Sequence, residues 1–390
     1  MSEKIIWTLI FILAPALILY GAYKIKFLGK IGGVILSYAL GLILGNSGLI
    51  PDSVLPIQKS IVTISIPLAL PMLLYSIDIK KFKSLAGRTI VSMLLAMVAL
   101  FIVIVTGYLM FKNHIPDDWK IAGLLVGVYT GGTPNLASIK EVLQVDTETY
   151  ILVHTADTIM GIIFLMFVLP LGQRALGLIL PKFSDTKRKH SAEEEQLLIE
   201  KFDDSPKAYA DILKKENIFQ VAKAFGLTLI IASVSLGIAT LVASDGGFEA
   251  VAILSITTLA ILASLNKKVR NLKKSFQAGM YLILIFSFTV ASMAKFERFA
   301  QSSPYIFYYV AWAVTMTFIL HVLLSAIFRI DTDTTLITST ALIMSPPFVP
   351  VVASALKNKY IILSGLTVGI IGYGVGNYLG VLVAYLLKTL

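Results

Sequence analysis

The sequence predicts an all-α polytopic membrane protein of about 12 membrane segments. It predicts two inverted repeats, with interrupted helices or re-entrant hairpins crossing at mid-membrane. Three observations carry this. Of 390 residues, 57% are hydrophobic and 14% charged, whereas soluble domains hold roughly 45–50% apolar and about 25% charged residues. The apolar residues fall into stretches near the roughly 20 residues that span a bilayer as a helix. Two of those stretches, one in each half, are interrupted: Thr130-Gly131-Gly132-Thr133-Pro134-Asn135 and Ser345-Pro346-Pro347-Phe348-Val349-Pro350.

Taken in order, the first apolar stretch covers 5–22 and is longer than a signal-peptide core. More spans follow it, so it reads as the first span. Further stretches lie at 31–50, 55–77, 89–111, 120–143 and 150–170, and then at 217–242, 247–265, 276–294, 304–328, 334–356 and 360–387. Pro67 and Pro71 are expected to bend the third. The segment between the halves is strongly charged and holds no spanning run, only a short helix near its end. The division is therefore 1–171, first transmembrane repeat; 172–216, charged cytoplasmic linker; and 217–390, second transmembrane repeat.

The halves share several features in the same order. Glu3-Lys4-Ile5-Ile6 pairs with Glu216-Asn217-Ile218-Phe219, Gly32-Gly33 with Gly246-Gly247, Pro134 with Pro347, and Tyr150-Ile151 with Tyr360-Ile361. Basic residues gather in cytoplasmic loops. Lys24, Lys26 and Lys30 follow the first stretch, and Lys80, Lys81, Lys83 and Arg88 the third, which puts the N-terminus outside. In the second half the basic run 267–274 follows the second stretch, whereas the loop Ser244-Asp245-Gly246-Gly247 after the first carries no cation. The copies are therefore inverted. Inversion needs an odd number of crossings per half: either the interrupted segment enters and returns on one side, or the broken helix crosses fully and some other segment does not span. The linker with Lys182, Lys187, Arg188 and Lys189 then lies in the cytoplasm.

Composition also excludes functions. Without Cys there is no disulfide, thiolate metal site or Cys nucleophile. The net charge of +10 reflects insertion topology and not nucleic-acid binding. Phosphate-cradling loops and hydrolase elbows are absent, which excludes ATP-driven transport by this chain. The chain is not expected to be an enzyme; a membrane enzyme, the rival reading, would need a catalytic cluster, which only His154 with Asp157 approaches.

Unpaired backbone at membrane depth survives only when buried in protein or lining a wet cavity. Two interruptions at matching places are the sequence pointer to a transporter site. The substrate-binding candidates are Thr130, Gly131, Gly132, Thr133, Pro134, Asn135, Ser138, Ser345, Pro346 and Pro347, with Thr338, Ser339 and Thr340 adding oxygens nearby. Hydroxyl, amide and carbonyl oxygens can replace the hydration shell of a sodium ion, and freed N–H groups at a half-helix start favour a carboxylate. The competing reading is a kink whose small residues permit close packing.

Asp157, with Thr158, His154 and Thr155 around it, is an ionisable group inside a span. The ion-coupling candidates are Asp157, Thr130, Thr133, Asn135 and Thr158; the alternative for Asp157 is pairing with His154 or capping a neighbouring helix. His321 reads as a satisfied buried group, Asp331 and Asp333 as helix caps, Glu249 as interfacial, and Lys140 with Glu141 as water-facing or entrance-lining. Asn377 among Gly372, Gly374, Gly376 and Gly380 reads as helix packing.

The pattern TGGTPNLASI in one half and SPPFVPVVASAL in the other resembles the bacterial membrane family catalogued as domain of unknown function eight-one-nine. The likeness covers the chain outside the charged linker. It implies kinship with the cation/proton antiporter and anion-transporter superfamily, which includes sodium–glutamate and sodium–bile-acid symporters. It also implies inverted repeats, crossed interrupted helices, and separate core and panel domains. The expectation is a secondary active transporter in a bacterial inner membrane, taking up a small organic anion such as an amino acid or short peptide by alternating access. No cofactor is expected beyond Na+ or H+ as coupling ion, and no metal beyond that Na+. The partners are the lipid bilayer and a small-molecule substrate, with a homodimer left open. The rival readings are a cation/proton antiporter using Asp157 and an uncoupled channel or holin-like pore.

Overall fold

The structure, a computed structural model, describes residues 2–25, 28–29, 32–77, 87–183, 196, 199–243, 248–294 and 304–390. A helix forms at every apolar stretch. The first half holds α1 (Ser2–Lys24), α2 (Gly33–Gly45), α3 (Leu55–Leu74), α4 (Gly87–Phe111), α5 (Asp118–Val142) and α6 (Thr147–Phe167). The second holds α7 (Lys215–Val242), α8 (Phe248–Ser264), α9 (Ser275–Ser292), α10 (Tyr305–Ile327), α11 (Thr332–Ile343), α12 (Val349–Ala355) and α13 (Ile362–Lys388). Among the described residues there is no strand. Helices satisfy every interior backbone group within one segment, which lipid demands.

The chain is a multi-pass membrane protein. Among the described residues, eight helices are long and apolar enough to cross a bilayer: α1, α3, α4, α6, α7, α9, α10 and α13. The apolar helices α2, α8 and the piece Pro346–Ala355 are shorter. Pro67 and Pro71 lie inside an uninterrupted α3.

Both expected interruptions are present. In α5 the backbone leaves helical geometry at Gly131 (φ −144°, ψ 16°) and Gly132 (φ 65°, ψ −161°). In the second half α11 stops at Ile343 and Ser345 takes φ 87°, ψ 163°. A single 3-10 turn over Pro346–Phe348 then leads into α12. The prolines start helices as well as ending them. Pro is favoured in a first turn, whose N–H groups have no intrahelical partner, and Pro346, Pro347 and Pro350 occupy such positions.

The helices cluster in two compact units, and each draws on both sequence halves. Unit 1 comprises Met1–Ile77, Lys140–Leu152 and Asp203–Ser302. In it α9 packs on α2 and α3, α8 on α3, α7 on α8, and α1 on α9. Small residues set this packing: Gly33, Ser37, Gly41 and Gly45 recur every fourth position of α2. A Cβ on Gly41 or Gly45 would run into the backbone carbonyl of Phe288 or Ser292 on α9. The Gln58 side chain donates to Ser292 Oγ at 2.8 Å, and Asn46 donates to the Ala294 carbonyl at 3.0 Å.

The end of the linker also belongs to this unit. Ser205 caps the short helix Pro206–Ala210, and Asp203 accepts from the Ser205 N–H and hydroxyl at 2.8 and 2.9 Å. Gln277 of α9 donates to the Asp203 carbonyl at 3.0 Å. Tyr209 donates to Asp204, whose carboxyl is pushed up to about 7 by burial.

Unit 2 comprises Asp78–Ile139, Val153–Phe202 and Ser303–Leu390, and both interruptions lie in it. Here α10 packs on α4, and α11 packs on α13, α4 and α10. Lys26, Lys30, Lys80, Lys81, Lys83, Lys187, Arg188, Lys189 and the loop 244–247 lie outside the described residues.

Candidate functional site

Within unit 2 the two interruptions meet. A Cβ built on Gly132 would stand 2.9 Å from Ser345 Cβ, so only a glycine fits there. Gly132 and Ser345 also share one backbone conformation, with φ near +80° and extended ψ. That region is populated almost solely by glycine and costs a side-chain-bearing residue about 1–3 kcal/mol. The other described non-glycine residues at positive φ lie between φ 50° and φ 61°, in the milder left-handed region. Ser345 thus holds its side chain beside the first interruption against a local penalty.

Helix α13 seals both interruptions with a glycine face. Gly365, Gly369, Gly372, Gly376 and Gly380 recur every three or four residues and so share one side of the helix. A Cβ on Gly369 would lie 2.6 Å from Pro346. On Gly372 it would strike the Thr130 carbonyl, and on Gly376 the side chains of Asn135 and Thr130. The carbonyl freed by the first break is therefore covered by helix backbone, an approach only glycine permits. The sequence pattern 372, 374, 376, 380 captured part of this face; the helical spacing adds Gly365 and Gly369.

The polar candidates divide by what their side chains do. Thr130 is buried, and its hydroxyl donates back to the Val126 and Gly127 carbonyls at 2.8 and 3.0 Å. Thr340 does the same to Leu336 at 2.8 Å. Asn135 is 1% exposed and donates through Nδ2 to the Gly372 carbonyl at 3.1 Å, while its Oδ1 has no hydrogen-bond partner. Ser138 Oγ and Thr338 Oγ1 are likewise buried without a partner. Three oxygens able to accept are thus buried in the two interrupted segments. Thr133, Ser345 and Pro347 are partly exposed, and Pro134 and Pro346 are buried.

Asp157 comes close to the crossing. Gly161, one turn further along α6, abuts Met344, where a Cβ would lie 2.9 Å from the sulfur. The Tyr129 hydroxyl, one residue before Thr130, faces the Asp157 carboxylate within electrostatic reach. His154 Nδ1 stands 3.3 Å from Thr158 Oγ1, so Thr158 meets a histidine nitrogen. Sequence reasoning missed Tyr129; its signal was a polar-tipped aromatic next to the break.

The remaining candidates take structural places. Asp331 caps α11, accepting from the Thr334 N–H at 2.8 Å and its hydroxyl at 2.9 Å. Asp333 is held instead by two amides, Gln173 at 2.9 Å and Asn358 at 2.8 Å, neither of which the sequence singled out. Both nitrogens of His321 are engaged, by Ser339 at 2.8 Å and Ser92 at 3.1 Å. Lys140 and Glu141 pair with each other at 2.8 Å and are largely buried, so they do not face water. Asn377 is fully buried, as packing requires.

Residues 8–390 match the profile of a family described as a protein of unknown function, DUF819. The chain is also 23% identical, over 367 residues, to the uncharacterized membrane protein YjcL of Bacillus subtilis (strain 168). That alignment covers 92% of this chain and 90% of the relative.

Proposed function

We propose that this chain, which belongs to the DUF819 family, is a secondary active transporter that takes up a small organic anion, coupled to sodium or protons. One observation carries this reading: the two interrupted helices touch at Gly132 and Ser345, beside buried oxygens with no partner. A helix broken at membrane depth is tolerated only where the break is buried in protein or lines a cavity, and paired breaks recur in the binding sites of ion-coupled carriers.

In this reading the halves are inverted repeats in a bacterial inner membrane, with the N-terminus outside and the linker inside. Asn135 Oδ1, Ser138 and the freed carbonyls suit a monovalent cation. Among the described residues no group of three His, Asp or Glu gathers that could hold a divalent metal. Asp157 carries the coupling charge. The half-helix starting at Pro134 directs N–H groups toward a substrate carboxylate. The cycle is alternating access.

A second reading is favoured by Asp157 itself, which lies one turn from the residue touching Met344. An antiporter would exchange a cation for a proton at this carboxylate and need no organic substrate. A thermal-shift screen of purified protein against amino acids, short peptides and other carboxylates, with and without sodium, separates the two. The symporter reading expects a carboxylate that stabilises only with the coupling ion. Stabilisation by cations alone, with no carboxylate hit, favours the antiporter.

A further inference from the structure

The contacts within unit 2 also fix how each interrupted segment runs. A helix advances about 1.5 Å per residue, so Gly127 and Ile139 in a continuous helix would stand about 18 Å apart. Instead, a Cβ on Gly127 would strike the Ile139 side chain on the far side of the break. A Cβ on Gly380 of α13 would strike that same side chain and stand 2.8 Å from the Gly123 carbonyl. The second segment behaves alike. Ile337 before its break and Val349 after it both lie 2.7 Å from a Cβ built on Gly365. Its two ends also meet. Asn358, past α12, donates to Asp333, near the start of α11, at 2.8 Å. Gln173, at the start of the linker, donates to Asp333 at 2.9 Å and to the Leu356 carbonyl at 3.4 Å. Each segment therefore doubles back at its break.

The order of contacts along α13 sets the direction of each. Gly365 and Gly369 meet the second segment, Gly372 meets both at Thr130 and Leu342, and Gly376 and Gly380 meet the first. The two segments thus approach from opposite ends of a helix long enough to cross a bilayer. With 12 residues, α11 reaches about 18 Å, roughly half of the ~30 Å hydrocarbon core. The flanking helices are opposed as well. The ring of Tyr305, at the start of α10, lies 4.2 Å from that of His114, just past the end of α4. One turn on, Tyr309 donates to the Ile104 carbonyl at 2.8 Å, so α10 runs against α4. Left-handed residues bracket both segments: Asp117 and Gln144 the first, Arg329 and Lys357 the second.

We propose that the interrupted segments are re-entrant hairpins that enter from opposite faces of the membrane and meet tip to tip at Gly132 and Ser345. Asp333 is the positioning residue that holds the two arms of the second hairpin together. Its base lies with Gln173, where the charged linker leaves the membrane, so this hairpin enters from the cytoplasm and the first from outside. If the protein is a transporter, each hairpin is the barrier on its own side of the site. The hairpins themselves do not rest on that reading.

The chain has no Cys, so single cysteines report sidedness without background. Asp117→Cys, Gln144→Cys, Arg329→Cys and Lys357→Cys each replace an exposed residue at one end of a segment. A membrane-impermeant maleimide is applied to right-side-out and to inverted vesicles. Asp117→Cys and Gln144→Cys are expected to react from one face, and Arg329→Cys and Lys357→Cys from the other, the side that holds the linker. A pair split between the faces means that its segment crosses the membrane, and overturns the proposal. All four reacting from one face overturns it too. Neither result bears on whether a solute is carried, and a protein that carries none would leave the hairpins standing. Should a variant fail to fold, a map of the wild-type protein in a lipid nanodisc decides. Both ends of each segment at one face support the hairpins, and ends at opposite faces overturn them.

Discussion

The two interruptions have the same shape and different chemistry. Gly132 and Ser345 adopt nearly the same backbone conformation, and each is followed by proline at the start of the next helical piece. The first interruption brings the side chains: Asn135 and Ser138 follow it within two turns, both buried with an unpartnered oxygen. The second brings rigidity through Pro346, Pro347 and Pro350. Yet glycine, which takes this conformation without strain, stands in the first, while the second carries a serine that must be strained to stay there. Strain of this kind persists where the surroundings over-determine it, and functional sites are where it collects. The comparison marks the Ser345 side chain as the second interruption's contribution to the site.

Substitutions at the crossing can break or sharpen this contrast. The largest effect is expected from Gly372→Leu, which drives a side chain into the Thr130 carbonyl. A loss of about 3 kcal/mol or more, the upper range for overpacking, is expected in denaturant or thermal unfolding. Next comes Gly132→Ala, which places a Cβ at φ 65° and 2.9 Å from Ser345 Cβ; it is expected to cost about 2–3 kcal/mol. Ser345→Gly should act in the opposite sense and stabilise by about 1 kcal/mol, strain relief outweighing added chain freedom. Combined, Ser345→Gly should recover part of the Gly132→Ala loss beyond additivity, since the contacting Cβ is gone. Strict additivity would mean that the interruptions do not touch.

A test of another kind lies away from the crossing, at the linker end. Burial raises the Asp204 carboxyl from 3.8 to about 7. A group raised on folding contributes stability that is full below its unfolded value and is lost as pH climbs through the folded one. The unfolding midpoint should therefore fall as pH rises from 3.8 to about 7. Asp204→Asn should flatten that slope, and an unchanged slope would remove Asp204 as its source.

Much of the fold was legible because its causes are local. Apolar runs of bilayer length marked the helices, and Gly131-Gly132 with Pro134 marked a break, since backbone freedom and a missing N–H act within one turn. Asp331 as a cap was legible for the same reason: its carboxylate reaches an N–H three residues on. The illegible parts depend on partners remote in sequence. Nothing in the second half announces that Gly372 would receive the Thr130 carbonyl, or that Gln173 and Asn358 would hold Asp333. Lys140 and Glu141 were expected near water because charged pairs usually are; instead they neutralise each other in a largely buried setting. Ser92 looks like an ordinary small residue of an apolar helix until α4, α10 and α11 are packed together.

In the proposed function the crossing moves a solute coupled to an ion, with Asp157 carrying the coupling. The most direct measurement is transport by protein reconstituted in liposomes, wild type beside Asp157→Asn, with sodium and proton gradients imposed separately. Wild-type protein is expected to accumulate a carboxylate solute only when one of the gradients points inward, and Asp157→Asn to bind solute without accumulating it. Unchanged coupled accumulation by Asp157→Asn, or an ion current that needs no solute and couples to nothing, would contradict the account.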